Sequence, residues 1–234
     1  MSLHSQNTAR LQVIHNAADP GAAVVDIYVD GALLLDDFAF RAATPFSDVP
    51  AAVQLTIGVA PGNSTGPGDI LATFDVTLDS GKTYIAVANG VLNPANFAAN
   101  PDMKNIAFTI LTADDGRESG SSASDVDLKV LHGATDAPAV DVLARGVATL
   151  VDDAAYGDMT PYFSVPEGNY ILDITPAGDN STIVASYQAD LSGLGGGAGF
   201  VFASGFLAPA ANANGEAFGL FVALPDGTVI ELPV

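Results

Sequence analysis

Residues 11–20 read LQVIHNAADP, and residues 128–138 repeat them as LKVLHGATDAP. Two further pairs of segments match in the same order: VDI at 25–27 with VDV at 140–142, and TPFSDVP at 44–50 with TPYFSVP at 160–166. The matched segments lie 115 to 117 residues apart, and loop insertions or deletions account for the small drift. Because this period far exceeds one supersecondary unit, the pattern indicates a duplicated domain rather than a solenoid.

Each copy carries the alternation of apolar and polar residues that is typical of strands, for example at 11–15, 25–29 and 53–59. Turn signals separate these runs every ~8–12 residues, and no stretch shows sustained helical periodicity. The sequence therefore predicts an all-β chain of two tandem immunoglobulin-like β-sandwich domains, with about seven or eight strands each. The Cys and Trp hallmarks of antibody domains are absent, so only the architecture is predicted. A single large barrel is the alternative.

Composition shifts divide the chain into four parts. We predict a disordered polar tail at 1–8, a first sandwich at 9–113, a flexible linker at 114–124 and a second sandwich at 125–234. The linker, DDGRESGSSAS, is rich in Gly and Ser and has no large apolar residue. Within the first copy, residues 32–35 read as a short buried strand, and residues 93–104 as a loop with room for one helical turn.

Charge is the outlying property of the composition. The chain has 7 Lys+Arg against 27 Asp+Glu, a formal net charge of −20. A field of this sign repels phosphate, so nucleic acid and anionic membranes are poor partners. The acidic residues are spread along the chain and suit a halophilic protein that stays soluble in high salt. An ordinary acidic secreted protein is the alternative.

Cysteine and hydropathy bound the chemistry and the location further. There is no cysteine, which excludes disulfides, thiolate metal sites and a Cys nucleophile. No apolar run approaches the ~18 residues that span a bilayer, so we do not expect an integral membrane protein. The first ten residues lack the apolar core of a signal peptide. Met1-Ser2-Leu3 resembles an added leader, and we expect that a native export signal has been removed.

His15 and His132 are the first candidates for catalysis or metal binding, with Asp26 and Asp141 as carboxylate partners. Strand alternation, however, places Asp26 on the outer face and away from His15 unless a bulge resets it. The structural alternative is a strand-end histidine that hydrogen-bonds to the backbone. No third group completes a site, so we predict no catalytic residue.

Paired aspartates offer clustered oxygen ligands that could bind Ca²⁺. The pairs are Asp36-Asp37 and Asp152-Asp153, at equivalent places in the two copies. Neither has the alternating spacing of a calcium loop, and Asp is also a favoured turn residue. Turn formation and solvation are therefore the main interpretation, a weak cation site is the alternative, and no other cofactor is predicted.

Two further features suggest surface recognition. Asn63 and Asn180 begin Asn-x-Thr acceptor sequences at the same loop of each copy, which predicts an exposed loop and allows glycosylation. Aromatic residues cluster in both copies and would serve a carbohydrate-binding platform if exposed or core packing if buried. They are Phe38, Phe40, Phe46, Tyr156, Tyr162 and Phe163.

The order of motifs in each copy resembles one family. His-x3-Asp, Val-Asp-Ile/Val, a Gly-containing turn and Thr-Pro-aromatic-Ser-x-Val-Pro are similar to the domain of unknown function 4397, over residues 9–113 and 125–234. The second copy follows the pattern more closely, because the first carries an insertion at 20–23 and Ala51-Ala52 where an acidic-Gly pair is expected. The resemblance implies a secreted or surface-displayed bacterial or archaeal module, and it supplies no catalytic residues.

Together these observations predict a non-enzymatic binding or structural module at the cell surface or outside the cell, with a protein or glycan partner. A carbohydrate-binding module is the first alternative. A hydrolase that uses a His/Asp pair is the second.

Overall fold

The computed structural model describes residues 7–234, and this part of the chain is all-β, with no α-helix. It forms two β-sandwich domains in tandem, as the sequence predicts. The strands of the first domain are β1 Thr8–Asn16, β2 Val24–Val29, β3 Ala32–Ala39, β4 Ser47–Pro50, β5 Gln54–Pro61, β6 Ala72–Thr77, β7 Thr83–Asn89 and β8 Thr109–Ala113. Those of the second are β9 Asp125–Leu131, β10 Val140–Ala144, β11 Ala148–Ala154, β12 Phe163–Pro166, β13 Asn169–Pro176, β14 Ala185–Asp190, β15 Ala198–Ser204, β16 Gly219–Ala223 and β17 Val229–Glu231.

The two domains repeat one topology. The first has an inner sheet in the order β4-β1-β7-β8 and an outer sheet in the order β3-β2-β5-β6. The second repeats these as β12-β9-β15-β16-β17 and β11-β10-β13-β14. Strand β17 is therefore an additional strand of the inner sheet, beside β16. The central pair of each inner sheet, β1 with β7 and β9 with β15, is parallel.

The inner sheets of the two domains pack against each other. Their facing side chains form one core cluster, whose fully or almost fully buried members come from both domains: Ile14, Phe46, Ile85 and Val87 from the first, and Leu131, Phe200, Phe202, Phe221 and Ala223 from the second. The molecule is therefore a stack of four sheets, outer-inner-inner-outer. All seven residues of strand β15 are buried, as expected of a strand that is covered on both faces.

The segment between β8 and β9, predicted as a flexible linker, is tied to both domains. Arg117 pairs with buried Asp127, and its guanidinium lies 4.7 Å from the centroid of the Tyr162 ring. Glu118 accepts hydrogen bonds of 2.8 and 2.7 Å from Arg10 in the first domain. These contacts hold the segment against the fold, although its composition is that of a linker.

Several local features differ from the sequence predictions. Strand β3 runs on through the aspartate pair to Ala39, and it is an exposed edge rather than a buried strand, with Leu34 57% exposed. Edge strands have no neighbour on one side, and apolar composition alone does not reveal this.

Two other local predictions can be compared with the structure. The helical turn predicted within 93–104 is confirmed as a 3₁₀ turn at Pro94–Asn96. The predicted tail, 1–8, lies outside the described residues up to position 6, and Thr8 already pairs with Pro50.

No helix within residues 7–234 has the length and apolar character needed to cross a membrane.

Candidate functional site

His15 lies at the end of β1 and is completely buried. Its Nε2 lies 2.7 Å from the carbonyl oxygen of Ala22, and its Nδ1 lies 3.3 Å from the backbone N of Ala17. A carbonyl only accepts and an amide N–H only donates, so the ring is a neutral imidazole with its proton on Nε2. Burial lowers the pKa of His15 to about 4, although the bond to Ala22 acts in the opposite direction. This is the strand-end histidine of the structural alternative.

His132 occupies the same place in the second domain, with one difference. Its Nε2 donates to the carbonyl oxygen of Pro138 at 3.0 Å, while its buried Nδ1 has no hydrogen-bond partner among the described residues. The ring meets the ring of Tyr156 edge-on, with centroids 6.4 Å apart. Burial lowers the pKa of His132 as well.

Both motif aspartates are buried, although strand alternation places Asp26 on the face of β2 opposite to the core residues Val25 and Ile27. Asp26 is 1% exposed, because the loop after β5 covers it and Ser64 Oγ donates to its Oδ2 at 2.5 Å. Its Oδ1 accepts from the backbone N of Asp37 at 2.9 Å. Asp141 repeats the arrangement, accepting from the backbone N of Asp153 at 2.6 Å and of Gly178 at 3.2 Å.

These aspartates hold a β-bulge in the neighbouring strand. Val140 pairs with Ala154 and Val142 with Val151, so two residues of β11 face the single residue Asp141. The second bulge residue, Asp153, has a positive φ of 51°, and its N–H points to the Asp141 carboxylate instead of to a strand partner. Such a bulge leaves one N–H without a strand partner, and the buried carboxylate satisfies it.

The exposed aspartate pairs are the residues of these bulges. Asp36 and Asp37 face Asp26, and Asp37 also has a positive φ of 51°. In the second domain, one carboxylate oxygen from each of Asp141, Asp152 and Asp153 lies within 4.8 Å of the others, a spacing that a divalent cation could use. The Asp141 oxygens, however, already accept two backbone N–H groups. The weak Ca²⁺ site therefore stays a prediction.

The structure does not bring the predicted His/Asp pairs together. His15 hydrogen-bonds to Ala22 and Ala17, and its proposed partner Asp26 to Ser64 and Asp37. In the second domain the histidine likewise contacts a carbonyl and the aspartate contacts backbone N–H groups. In the described part of the chain neither histidine hydrogen-bonds to a carboxylate, so the arrangement that would have favoured a hydrolase is not formed.

The remaining predicted features are the two acceptor asparagines and the six clustered aromatic residues. Asn63 and Asn180 are both exposed in the corresponding loops after β5 and β13, and their glycosylation stays a prediction. None of the six clustered aromatic residues is exposed, since each is buried or half-buried. Phe38 and Phe40 pack on the His15 ring at 5.9 and 6.0 Å, and Phe46 lies in the core between the domains. No ring of the six is exposed as a carbohydrate platform would require, and the carbohydrate-binding alternative stays a prediction.

Sequence reasoning missed the contact between the domains. Arg41 reaches across it, donating to Ser204 Oγ at 3.1 Å and to Ala217 O at 2.6 Å, with its guanidinium 4.2 Å from the centroid of the Phe221 ring. Gln12 is almost fully buried and donates to Leu224 O at 2.7 Å.

Further hydrogen bonds cross between the domains from the loop before β8. Asn100 Nδ2 donates to Thr135 O and Ala137 O at 2.9 and 3.0 Å, and Asp102 accepts from the Ala139 N–H at 2.7 Å.

A signal for the contact between the domains was present in the sequence, because residues 198–204, AGFVFAS, have no charged residue and no alternation. That pattern is typical of a strand with two buried faces.

Comparison with known proteins agrees with the repeat. A family described as domain of unknown function 4397 matches residues 5–117 and again residues 126–205. No curated protein matches the chain. Since the two matches cover most of the sequence, the chain belongs to the domain of unknown function 4397 family, of which it carries two copies.

Proposed function

We propose that this protein is a non-catalytic binding or structural module that works outside the cell or on its surface. The observation that carries the proposal is that His15, Asp26 and Asp141 use their polar groups in hydrogen bonds within the fold. Both nitrogens of His15 and both carboxylates of the family motif, Asp26 and Asp141, make their hydrogen bonds to the protein itself. Groups used in this way stabilise a fold and are not free to move protons to a substrate.

The packing of the domains supports a structural role. The shared core and the bonds of Arg41 and Gln12 join the two copies, so the tandem presents its loops at a fixed spacing. A rigid spacing of two related surfaces suits a module that binds or spaces other components.

The charge supports a location in a salty medium outside the cell. A net charge of −20 on 234 residues gives strong self-repulsion, and high salt screens it. We propose that the acidic residues are a halophilic adaptation. The absence of cysteine is compatible with this proposal because the shared core, rather than disulfides, stabilises the fold.

Two experiments test the proposal. The full chain is assayed against ester, phosphate, glycoside and peptide substrates, beside His15→Gln and His132→Gln, and we expect no turnover above buffer for any of the three proteins. Turnover that either substitution abolishes would establish an enzyme instead. Antibody labelling of intact cells of the source organism tests the location, and labelling only after lysis would contradict it.

A further inference from the structure

The two domains differ at one edge of the inner sheet. In the second domain the chain turns back after β16, where the Leu224 N–H donates to Thr228 O at 2.8 Å, and it returns along β16 as β17. In the first domain the chain does not return after β8, because residues 114–124 continue to the second domain. Among the described residues β8 therefore pairs with β7 alone, whereas its counterpart β16 lies between β15 and β17.

The backbone groups that hold the returning chain have counterparts on β8. The two inner sheets share one register, which places Ile110 where the second domain has Leu220. There, Leu220 O accepts from the N–H of Leu232, which is 2.9 Å away in the returning chain. Alternate residues of a strand turn their backbone groups to the same side. The groups of Ile110 and Thr112 therefore point to the open edge, and no described residue bonds to them there.

The side chains beneath this edge are also less covered in the first domain. In the second domain Leu232 is buried in one core cluster with Tyr187, which is 5% exposed. Phe74 has the place of Tyr187 in the strand register, and it is only half-buried. The Phe74 ring lies 5.9 Å from that of Phe108, and Tyr187 lies against a phenylalanine in the same way at 6.3 Å. The first domain thus has the same pair of rings without a residue in the place of Leu232.

The outer sheet is open on the other side of this gap. In the second domain the N–H of Gln188 on β14 donates to Pro233 O at 2.7 Å, so the returning chain joins the inner sheet to the outer sheet. Asp75 on β6 has the place of Gln188 in the register, and no described residue accepts from its N–H at this edge. An extended segment laid along β8 would therefore find hydrogen-bond partners in both sheets of the first domain.

The edge of β8 lacks the features that protect exposed strands. Charged side chains, proline and β-bulges keep other chains from pairing with an edge. The exposed strand β3 has a bulge with Asp36 and Asp37, and β4 ends in Pro50. In contrast, β8 reads TILTA, without a charged residue or proline, and its ladder with β7 is continuous. Another strand can join it.

The charge of the molecule bears on which segment fits. Burial lowers the pKa of Arg41, and the negative charges of Glu216 and Glu231 act in the opposite direction, so Glu231 on β17 lies near this arginine. Gly157 has the place of Arg41 in the second domain, since the N–H of each donates to the carbonyl oxygen of the strand-end histidine. A strand on β8 would therefore have glycine where β17 has Arg41. The net charge of −20 then favours a basic residue over an acidic one.

We propose that the open edge of β8 is a docking site for an extended segment of a partner protein, which adds to the inner sheet of the first domain as an antiparallel strand. The segment has an apolar residue in the place of Leu232, which covers Phe74, and a neutral or basic residue in the place of Glu231. This inference names a partner class for the binding role proposed above, and it rests on that role.

Two peptides test the site. One has the sequence of residues 228–234, TVIELPV, and the other is the same peptide with Glu231→Lys. Each is titrated into the full chain and followed by NMR of the backbone amides. We expect saturable shifts and slower hydrogen exchange at Ile110 and Thr112, with tighter binding of the lysine peptide by about threefold. The amide of Leu220 should not change, since β17 already covers that edge.

Two variants of the chain serve as matched controls. Thr112→Pro removes an N–H that points to the open edge and leaves the ladder with β7 intact, so it should weaken binding of both peptides by about tenfold or more. Thr112→Val keeps the N–H and should bind both peptides as the unchanged chain does. A peptide that is N-methylated at Leu232 tests the same pairing from the side of the ligand, and it should not bind even if the proline variant fails to fold.

The proposal is overturned if neither peptide binds at concentrations up to about 1 mM, if the two peptides bind equally well, or if N-methylation leaves the affinity unchanged. Concentration-dependent shifts at Ile110 and Thr112 in the chain alone would also overturn it, because a second copy would then fill the edge. These results are separate from the turnover assay, which tests the proposed function itself.

Discussion

At the scale of single residues, the two copies use the same side chain in unequal ways. His15 and His132 both lie at the end of an inner strand and donate to a backbone carbonyl, but among the described residues only His15 has a donor for its second nitrogen. The next residue differs too. Asn16 extends across the domain contact and donates to Ala203 O at 3.1 Å, whereas a Cβ on its counterpart Gly133 would lie only 2.5 Å from the same oxygen. The contact therefore leaves no room for a side chain at position 133.

The pH dependence of His15 is the first prediction. Its pKa is about 4 in the fold against an ordinary 6.5, so between these values the unfolded chain binds a proton that the folded chain does not. The free energy of unfolding should fall as the pH falls from 6.5 to 4, by roughly 3 kcal/mol at most from this residue. Urea unfolding from pH 7 to pH 4 measures the loss, and His15→Gln should reduce its slope. A His15 ring that titrates near pH 6.5 by NMR would refute this account.

At the scale of secondary-structure elements, the Val-Asp-Ile/Val motif has a structural explanation. The carboxylate of Asp141 caps the bulge of β11, and Asp26 does the same for β3. Sequence alternation assigned Asp26 to the correct strand but predicted a solvent-exposed side chain. The loop with Ser64 that covers it belongs to another part of the chain. The strands themselves were easier to predict, and β2 at Val24–Val29 contains the run predicted at 25–29. Edge positions such as β3 were not, since pairing depends on distant segments.

Removal of the bulge carboxylate is the second prediction. Asp141→Ala leaves the backbone N–H groups of Asp153 and Gly178 without an acceptor, and we expect a loss of roughly 1–3 kcal/mol in the free energy of unfolding. Asp152→Ala, in the exposed neighbour, should change it by no more than about 0.5 kcal/mol. Urea midpoints at constant slope measure both changes. Equal losses in the two variants would mean that the carboxylates act together, as at a cation site.

At the scale of the whole molecule, the shared core makes the two domains one unit of stability. The apolar faces of the two inner sheets pack against each other, and Phe202 between them is completely buried. Separate domains would expose this surface to water, which is unfavourable in proportion to its area. Residues 114–124 also connect the two domains, because Glu118 accepts from Arg10 in the first domain and Arg117 pairs with Asp127 in the second.

A single cooperative transition is the third prediction. Calorimetry should give one peak with equal calorimetric and van't Hoff enthalpies. Phe202→Ala should lower the free energy of unfolding by about 3–5 kcal/mol and keep the transition single, whereas Leu34→Ala on the exposed edge should have little effect. Two separate peaks would show that the domains unfold independently.

The response to salt is the fourth prediction. Because the net charge is −20, screening of self-repulsion should raise the thermal midpoint steadily from low to multimolar KCl. Addition of millimolar Ca²⁺ or EDTA at constant ionic strength should leave the midpoint unchanged. A rise with micromolar Ca²⁺ alone would instead assign a cation site to the cluster of Asp141, Asp152 and Asp153.

The sequence by itself determined the duplication, the all-β class and the strand-end position of both histidines, because these depend on local alternation and on similarity along the chain. The tertiary structure decided which strand faces are covered twice, that Asp26 is buried, and that β8 has an open edge where β17 covers its counterpart β16. These properties depend on residues far apart in the sequence, and their contacts follow from packing rather than from any local pattern.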